Sequence, residues 1–313
     1  MFRYIMKRIG YMFITLFIVI TITFFLVRLL PGTPFNEQKL NAQQIELLNK
    51  EYGLDDPVPV QYIRYLTGVC VGDFGTSFKQ SNRKVEDIMK ARLGPSALLG
   101  AQSLIFGTII GLILGVIAAL KQNSIWDYLC TILSVIGVSV PSFVFAATLQ
   151  LYICLKLGWF PITWGLPLGS EFRYIWTIMP SLALSFFTIS SVARFTRTEL
   201  VEVLHSDYIV TAISKGLRRS TVILKHSLRN ALIPVITILG PLAAGLLTGS
   251  LVVEKVFAVP GIGDLLVTAI TTNDLFIISG VAILYSAFYI VVIFIVDVLY
   301  GVIDPRIRLA GGK

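Results

Sequence analysis

The chain has 313 residues, of which 55% are hydrophobic and only 14% are charged. A soluble domain has about a quarter of its residues charged, so this composition excludes an ordinary soluble globular protein. The net charge of +8 could suit a nucleic-acid partner, but the positions of the basic residues indicate a membrane topology, and we expect no nucleic acid.

Six stretches of the chain contain no Asp, Glu, Lys or Arg. Each is about as long as the ~20 apolar residues that cross a bilayer as a helix, whereas core helices of soluble proteins average about 11–12 residues. The stretches are 9–27, 96–120, 128–155, 174–193, 231–253 and 275–296. We therefore predict an all-α membrane protein with six transmembrane helices.

The first apolar stretch follows three basic residues, as a secretory signal would. Its apolar run is too long for a signal, and it ends at Arg28 without a small-residue cleavage pattern. We expect a retained helix, TM1 over 9–30, after a cytoplasmic N-terminus of residues 1–8.

Residues 31–95 carry most of the charge between the first two spans and predict a helical extracytoplasmic segment. A capping box that begins at Asn41 predicts one helix, and residues 59–69 predict an amphipathic one. Gly94 and Pro95 are expected to close the segment.

The other stretches give five further spans and the loops between them. A strip of Gly107, Gly111 and Gly115 on TM2 predicts close helix packing in lipid. The predicted bounds are TM2 96–120, TM3 127–156, TM4 174–193, a cytoplasmic coupling loop 194–230, TM5 231–253, an extracytoplasmic loop 254–274, TM6 275–298 and a cytoplasmic tail 299–313.

Prolines and an amide within the spans are candidates for a substrate pathway. A proline inside a helix removes a backbone hydrogen bond and kinks it, and the freed carbonyl must be met by protein or cavity water. A packed kink needs no function, but a kink can also shape a pathway. The candidates are Pro141, which is expected to kink TM3, with Gln150, Pro180 and Pro234.

The distribution of Lys and Arg predicts the orientation. With the N-terminus in the cytoplasm, 14 of them lie on the cytoplasmic side and 3 in the two short outer loops, with 9 in the long segment after TM1. Long loops count little in this rule, so we expect both termini in the cytoplasm.

The chain shows no energy source of its own. Ion-coupled transporters need ionisable residues at membrane depth, and the predicted span interiors have none. The sequence also has no Gly-x-x-x-x-Gly-Lys-Ser/Thr nucleotide loop and no metal-ligand spacing around its two histidines. We therefore expect no enzyme, no metal site and no cofactor in this chain, and any ATPase must be another chain.

A polar, helix-forming island lies within the basic loop, over residues 206–234. Ser206 or Asp207 can cap a helix start, and Gly216 can end it in the left-handed conformation. The sequence predicts a short helix, about two turns long, between membrane spans. An amphipathic connector at the lipid surface is the alternative to a helix that is presented to a partner.

This island resembles the cytoplasmic loop of ABC importer permeases, whose pattern is Glu-Ala-Ala, three residues, then Gly. Ala212 and Gly216 match the second Ala and the Gly, whereas Val210 and Thr211 replace the Glu and the first Ala. Further motifs resemble the peptide-importing branch, above all the first permease subunit of oligopeptide and dipeptide importers. They are Leu30–Pro34, Tyr52–Pro57, Asp73–Ser77, Val138–Phe143, Ser206–Ile209, Lys225–Pro234, Val259–Gly263 and Asp304–Arg308.

The resemblance implies a type I ABC importer permease fold in a bacterial cell membrane. The implied partners are a second homologous permease subunit, two ATP-binding subunits that hold ATP and Mg, an external substrate-binding protein, a peptide substrate and membrane lipid. The implied coupling residues are Asp207, Tyr208, Ile209, Ala212 and Gly216, with Tyr208 and Ile209 anchored in an apolar groove of the ATPase.

Three other functions remain open on the sequence. An importer of the same branch could carry another substrate such as nickel chelates. A secondary transporter is disfavoured because the spans lack charges. A membrane-embedded enzyme or a structural subunit is the third, and the former is disfavoured because no catalytic constellation is evident.

Overall fold

The computed structural model describes residues 2–29, 43, 46–47, 50, 53–77, 79–80, 83–165 and 174–303. Within them the chain is helical, and extended pairing is limited to an isolated bridge between Thr76 and Lys84. The helix predicted to start at Asn41 and the tail predicted for 299–313 lie mostly outside the described residues.

The described helices follow one another with short connections. The helices are α1 Phe2–Leu29, α2 Val58–Val71, α3 Val85–Leu120, α4 Ile125–Ser139, α5 Ser142–Leu149, α6 Ile175–Leu204, α7 Asp207–Ser214, α8 Leu228–Val256, α9 Ile262–Thr272 and α10 Leu275–Ile303. Wider π-helical turns continue α5 over Gln150–Lys156 and precede α8 over Val222–Ser227.

Five of these helical segments are long and apolar enough to cross a membrane. The sixth candidate is the pair of α4 and α5, which passes the same test only when the two are taken together. They are separated at Val140 and Pro141 and bent by 105°. The break falls at the predicted proline, but the bend is far sharper than a kink in one continuous helix.

Two helices extend well beyond the apolar stretches that revealed them. The prediction that Gly94 and Pro95 close the outer segment is wrong, because α3 begins at Val85 and contains both. Acidic residues in its first turn suit the positive end of the helix dipole. At its other end, α6 continues through charged residues of good helix propensity to Leu204.

The segment 254–274, expected as a loop, contains α9. Its buried residues Ile262, Leu265 and Ala269 follow helical spacing. The Ser96 hydroxyl accepts a hydrogen bond from the backbone N–H of Ile262 at 2.8 Å. This N–H at the start of α9 is therefore capped by a side chain distant in sequence.

The chain divides into two compact units. One comprises Phe2–Ser96 with Pro260–Val291. In it α2 packs the rings of Tyr62 and Tyr65 on Phe24 of α1, as the amphipathic pattern of 59–69 predicts. Ser77 donates a 2.5 Å hydrogen bond to Asp274, and both residues are buried.

The other unit comprises Ala97–Val259 and the chain from Val292. Its central helix is α6, which packs against α4, α5 and α8. The predicted glycine strip lies against α6, because a Cβ at Gly107, Gly111 or Gly115 would come within 2.5–2.8 Å of α6 atoms. The prediction of close helix packing is therefore confirmed.

Candidate functional site

The short helix α7 lies between the two long helices of the second unit, directly after α6. The expectation of a side-chain cap at its start is wrong, because no side chain caps it. The Ser206 hydroxyl instead donates to the Val203 carbonyl at 2.6 Å, at the end of α6. The exposed carboxylate of Asp207 lies in the first turn, where the helix dipole favours a negative charge.

A left-handed residue reverses the chain after α7. Gly216 has φ of +77°, as predicted for a residue that ends the helix. Its N–H donates to the Ile213 carbonyl at 2.9 Å, and Leu217 bonds back to Ala212. The space around Gly216 is open, so its requirement is conformational rather than steric.

One face of α7 packs against its own chain. Ile209 is 1% exposed and Ala212 is 8% exposed. They form a small apolar cluster with Val222, flanked by Val203. Ile209 was expected to enter a groove of another subunit, but it anchors α7 to the body of this chain instead, because the apolar partners it needs are at hand.

The opposite face of α7 is apolar and exposed. Val210 is 56% exposed, Ile213 is 60% exposed, and Leu217 just after the helix is 40% exposed. The resemblance did not pick out these residues, although their spacing of three and four is the signal of a helix face. Exposed basic residues follow this face. They are Lys215, Arg218, Arg219, Lys225 and Arg229.

A hydrogen bond ties α7 to α8. The side-chain amide of Asn230 donates to the phenol oxygen of Tyr208 at 2.9 Å. Tyr208 is therefore partly committed within the chain, although 44% of it is exposed. Between them the backbone widens into the π-helical turn, where the Ser227 hydroxyl bonds the Val222 carbonyl at 3.1 Å.

The structure does not gather the four pathway candidates into one cavity. Pro141 lines an apolar cavity of about 250 Å³ at the break between α4 and α5, and the other three are not among its lining residues. The stacked rings of Phe145 and Phe186, with centroids 4.0 Å apart, also line it. Sequence reasoning did not find this aromatic pair.

The other candidates occupy different environments. The Gln150 amide donates to the carbonyls of Ile162 and Val256 at 2.9 and 2.8 Å, so it bridges backbone groups. Pro180 is buried inside α6, and Pro234 lies inside α8.

An ion pair between α4 and α6 was also missed. Arg197 donates from Nε and Nη2 to the two carboxylate oxygens of Asp127, at 2.5 and 2.7 Å. Asp127 is 3% exposed. The pair was hidden because Arg197 was assigned to a loop, whereas α6 carries it as a helical residue facing α4.

Two family models match the chain. Residues 111–309 match the binding-protein-dependent transport system inner membrane component, and residues 1–96 match the N-terminal part of such membrane components.

Curated relatives match over nearly the whole length. The dipeptide transport system permease protein of Lactococcus lactis subsp. cremoris is 44% identical, over 99% of this chain and all of the relative. That of Bacillus subtilis is 42% identical, over 99% of both chains. The oligopeptide transport system permease protein of Escherichia coli K12 is 42% identical, over 98% of this chain and all of the relative.

A solved structure shares the fold. A chain from a crystal structure of an amino acid ABC transporter with histidines aligns with a TM-score of 0.50 and 15% identity, covering 70% of this chain and 94% of that one. Together with the helices described above, the comparisons confirm the predicted all-α transporter permease fold.

Proposed function

Because this chain belongs to the family of binding-protein-dependent transport system inner membrane components, we propose that it is a permease subunit of an ATP-driven peptide importer. Relatives named as dipeptide and oligopeptide permeases match it from end to end. They favour a peptide as the substrate over a nickel chelate or a secondary-transport mechanism.

The importer needs partners that this chain lacks. A second homologous permease completes the translocation pathway, and an external substrate-binding protein delivers the peptide. Two ATP-binding subunits hold ATP and Mg and perform the hydrolysis. The chain lies in the bacterial cell membrane with both termini in the cytoplasm, because most of its Lys and Arg then fall on the cytoplasmic side.

The observation that carries the coupling proposal is the two-faced character of α7. Its buried face, with Ile209 and Ala212, holds it to the chain. Its outer face offers Val210 and Ile213 to an ATP-binding subunit, as amphipathic helices do when they dock into apolar grooves. Asp207 and Tyr208 border that face, and Gly216 turns the chain away from it.

A push on α7 has a direct route to the membrane. The Ile209 cluster reaches Val222 in the π-helical turn before α8, and Tyr208 bonds Asn230 in α8 itself. Movement of the ATP-binding subunits would therefore shift α8. Pro234 lies inside α8, and Pro141, Gln150 and Pro180 lie on neighbouring helices, where we propose that they shape the pathway.

Assembly of the complex tests this docking face. Ile213→Asp places a charge in the proposed apolar contact, and Ile270→Asp in α9 makes the same change at an isoleucine of similar exposure. Ile213→Asp should abolish co-purification of the ATP-binding subunits, while Ile270→Asp should retain them. Equal co-purification of both variants would refute the docking face.

A further inference from the structure

A cavity of about 280 Å³ lies between the end of α3, the first turns of α4 and the later half of α6. All of these parts belong to one compact unit. The cavity lies at the end of α6 that leads into α7, and the coupling and pathway candidates do not line it.

The mouth of this cavity is cationic. Arg194 and Arg197, less than one turn apart on α6, both line it, and Asp127 is its one acidic lining residue. Asp127 also accepts a hydrogen bond from the backbone N–H of Asn123 at 3.0 Å. The carboxylate therefore fixes the Arg197 guanidinium, and the charge of Arg194 remains in excess among the lining residues.

The deeper wall is apolar. Ala118, Cys130, Val135 and Ala193 line it, and the Ser134 hydroxyl there donates to the Cys130 carbonyl at 2.8 Å. Because that hydroxyl is satisfied within the helix, this part of the cavity presents little unmet polarity. The cavity thus has a charged mouth and an apolar floor.

Aromatic residues indicate the depth of the mouth. Trp126 and Tyr128, in the first turn of α4, are 51% and 58% exposed. Lys121 places its Nζ 5.0 Å from the centroid of the Trp126 ring. Exposed Trp and Tyr next to Lys are typical of the level of lipid headgroups, and basic pockets between spans bind anionic headgroups.

We propose that this cavity binds an anionic glycerophospholipid, such as phosphatidylglycerol, from the leaflet on the α7 side of the membrane. The phosphate group contacts Arg194 and the guanidinium that Asp127 holds in place. The start of the acyl chains lies along Ala118, Val135 and Ala193. The assignment of that leaflet to the cytoplasmic side rests on the proposed function, but the binding itself does not.

Native mass spectrometry of the intact complex, after exchange with phosphatidylglycerol or phosphatidylcholine, tests the site. Arg194→Gln should lower the fraction carrying tightly bound phosphatidylglycerol by about fivefold, as expected for loss of one charge near a headgroup. Lys90→Gln, which removes an exposed charge from the opposite end of α3, should leave that fraction unchanged.

Three results would overturn the proposal. They are equal phosphatidylglycerol retention by Arg194→Gln and the unaltered protein, equal retention of phosphatidylcholine, and displacement by inorganic phosphate, which would indicate a free-phosphate site. Lipid retention is counted without any transport assay, so failure here is distinct from failure of the importer assignment.

Discussion

The side-chain amide of Asn230 donates a 2.9 Å hydrogen bond to the phenol oxygen of Tyr208. This bond joins the short helix α7 to the long helix α8, and it lies beside the exposed face proposed for the ATP-binding subunit. A residue of the docking helix is thereby connected to a membrane span without an intervening loop.

Tyr208→Phe should weaken coupling while it preserves the fold. The change removes one hydrogen bond of about 0.5–1.5 kcal/mol and keeps the ring. We expect peptide transported per ATP hydrolysed to fall a few fold, with assembly intact. Thr211→Val is the control, because the Thr211 hydroxyl bonds only the Asp207 carbonyl of its own helix. A ratio that stays unchanged in Tyr208→Phe would show that this bond does not transmit the movement.

Gly216→Val should damage assembly or uncouple ATP hydrolysis from transport. The glycine has φ of +77°, and a left-handed conformation costs an L-residue roughly 1–2 kcal/mol, more when it is β-branched. Ser214→Val adds the same side chain at an exposed helical position nearby and should be tolerated. Peptide uptake by Gly216→Val at the level of the unaltered protein would contradict the need for this turn.

Gly111→Ala should destabilise the permease, whereas Gly94→Ala on the same helix should not. A Cβ at Gly111 would lie 2.8 Å from the Ile189 carbonyl oxygen and from Val192 Cβ, but Gly94 has nothing within 4 Å. Overpacking costs about 1–3 kcal/mol, while an uncrowded Gly→Ala change in a helix gains up to ~1 kcal/mol. Thermal unfolding of the purified complex measures both, and equal midpoints would contradict the close packing of α3 on α6.

Asp127→Asn should lower the unfolding midpoint of the complex. It leaves the Arg197 guanidinium against a neutral amide in a largely buried site, a loss of about 1–3 kcal/mol. The double variant Asp127→Leu with Arg197→Met should recover part of the stability, because it removes both charges. Asp87→Asn, at an exposed carboxylate, serves as the control. If the double variant is no more stable than Asp127→Asn, the pair is not the cause.

Much of the fold follows from the sequence because the charge-free stretches mark apolar helices directly. Their ends do not follow, since Val85–Gly94 and Arg194–Leu204 are helical but polar, and hydropathy cannot distinguish such extensions from loops. The helix α9 was hidden for another reason: its length is below that of a span, and the residue that caps it, Ser96, is distant in the sequence.

The candidate site was predicted in position but only partly in detail. The conformation of Gly216 follows from residue type. The burial of Ile209 depends on Val203 and Val222, and a family pattern does not say which way a side chain faces. The Asp127–Arg197 pair joins residues 70 positions apart, and one sequence alone carries no signal for it.

The central claim is that this chain is the membrane path of an ATP-driven peptide importer and does no chemistry itself. Its most direct test is uptake of labelled peptide into proteoliposomes that contain the chain, its partner permease, the two ATP-binding subunits and the external binding protein, with ATP on the side of the ATP-binding subunits. The account predicts ATP-dependent uptake that disappears when this chain is omitted, and no ATP hydrolysis by the purified chain alone. Uptake that persists without the chain, or ATP turnover by the chain free of its partners, would contradict it.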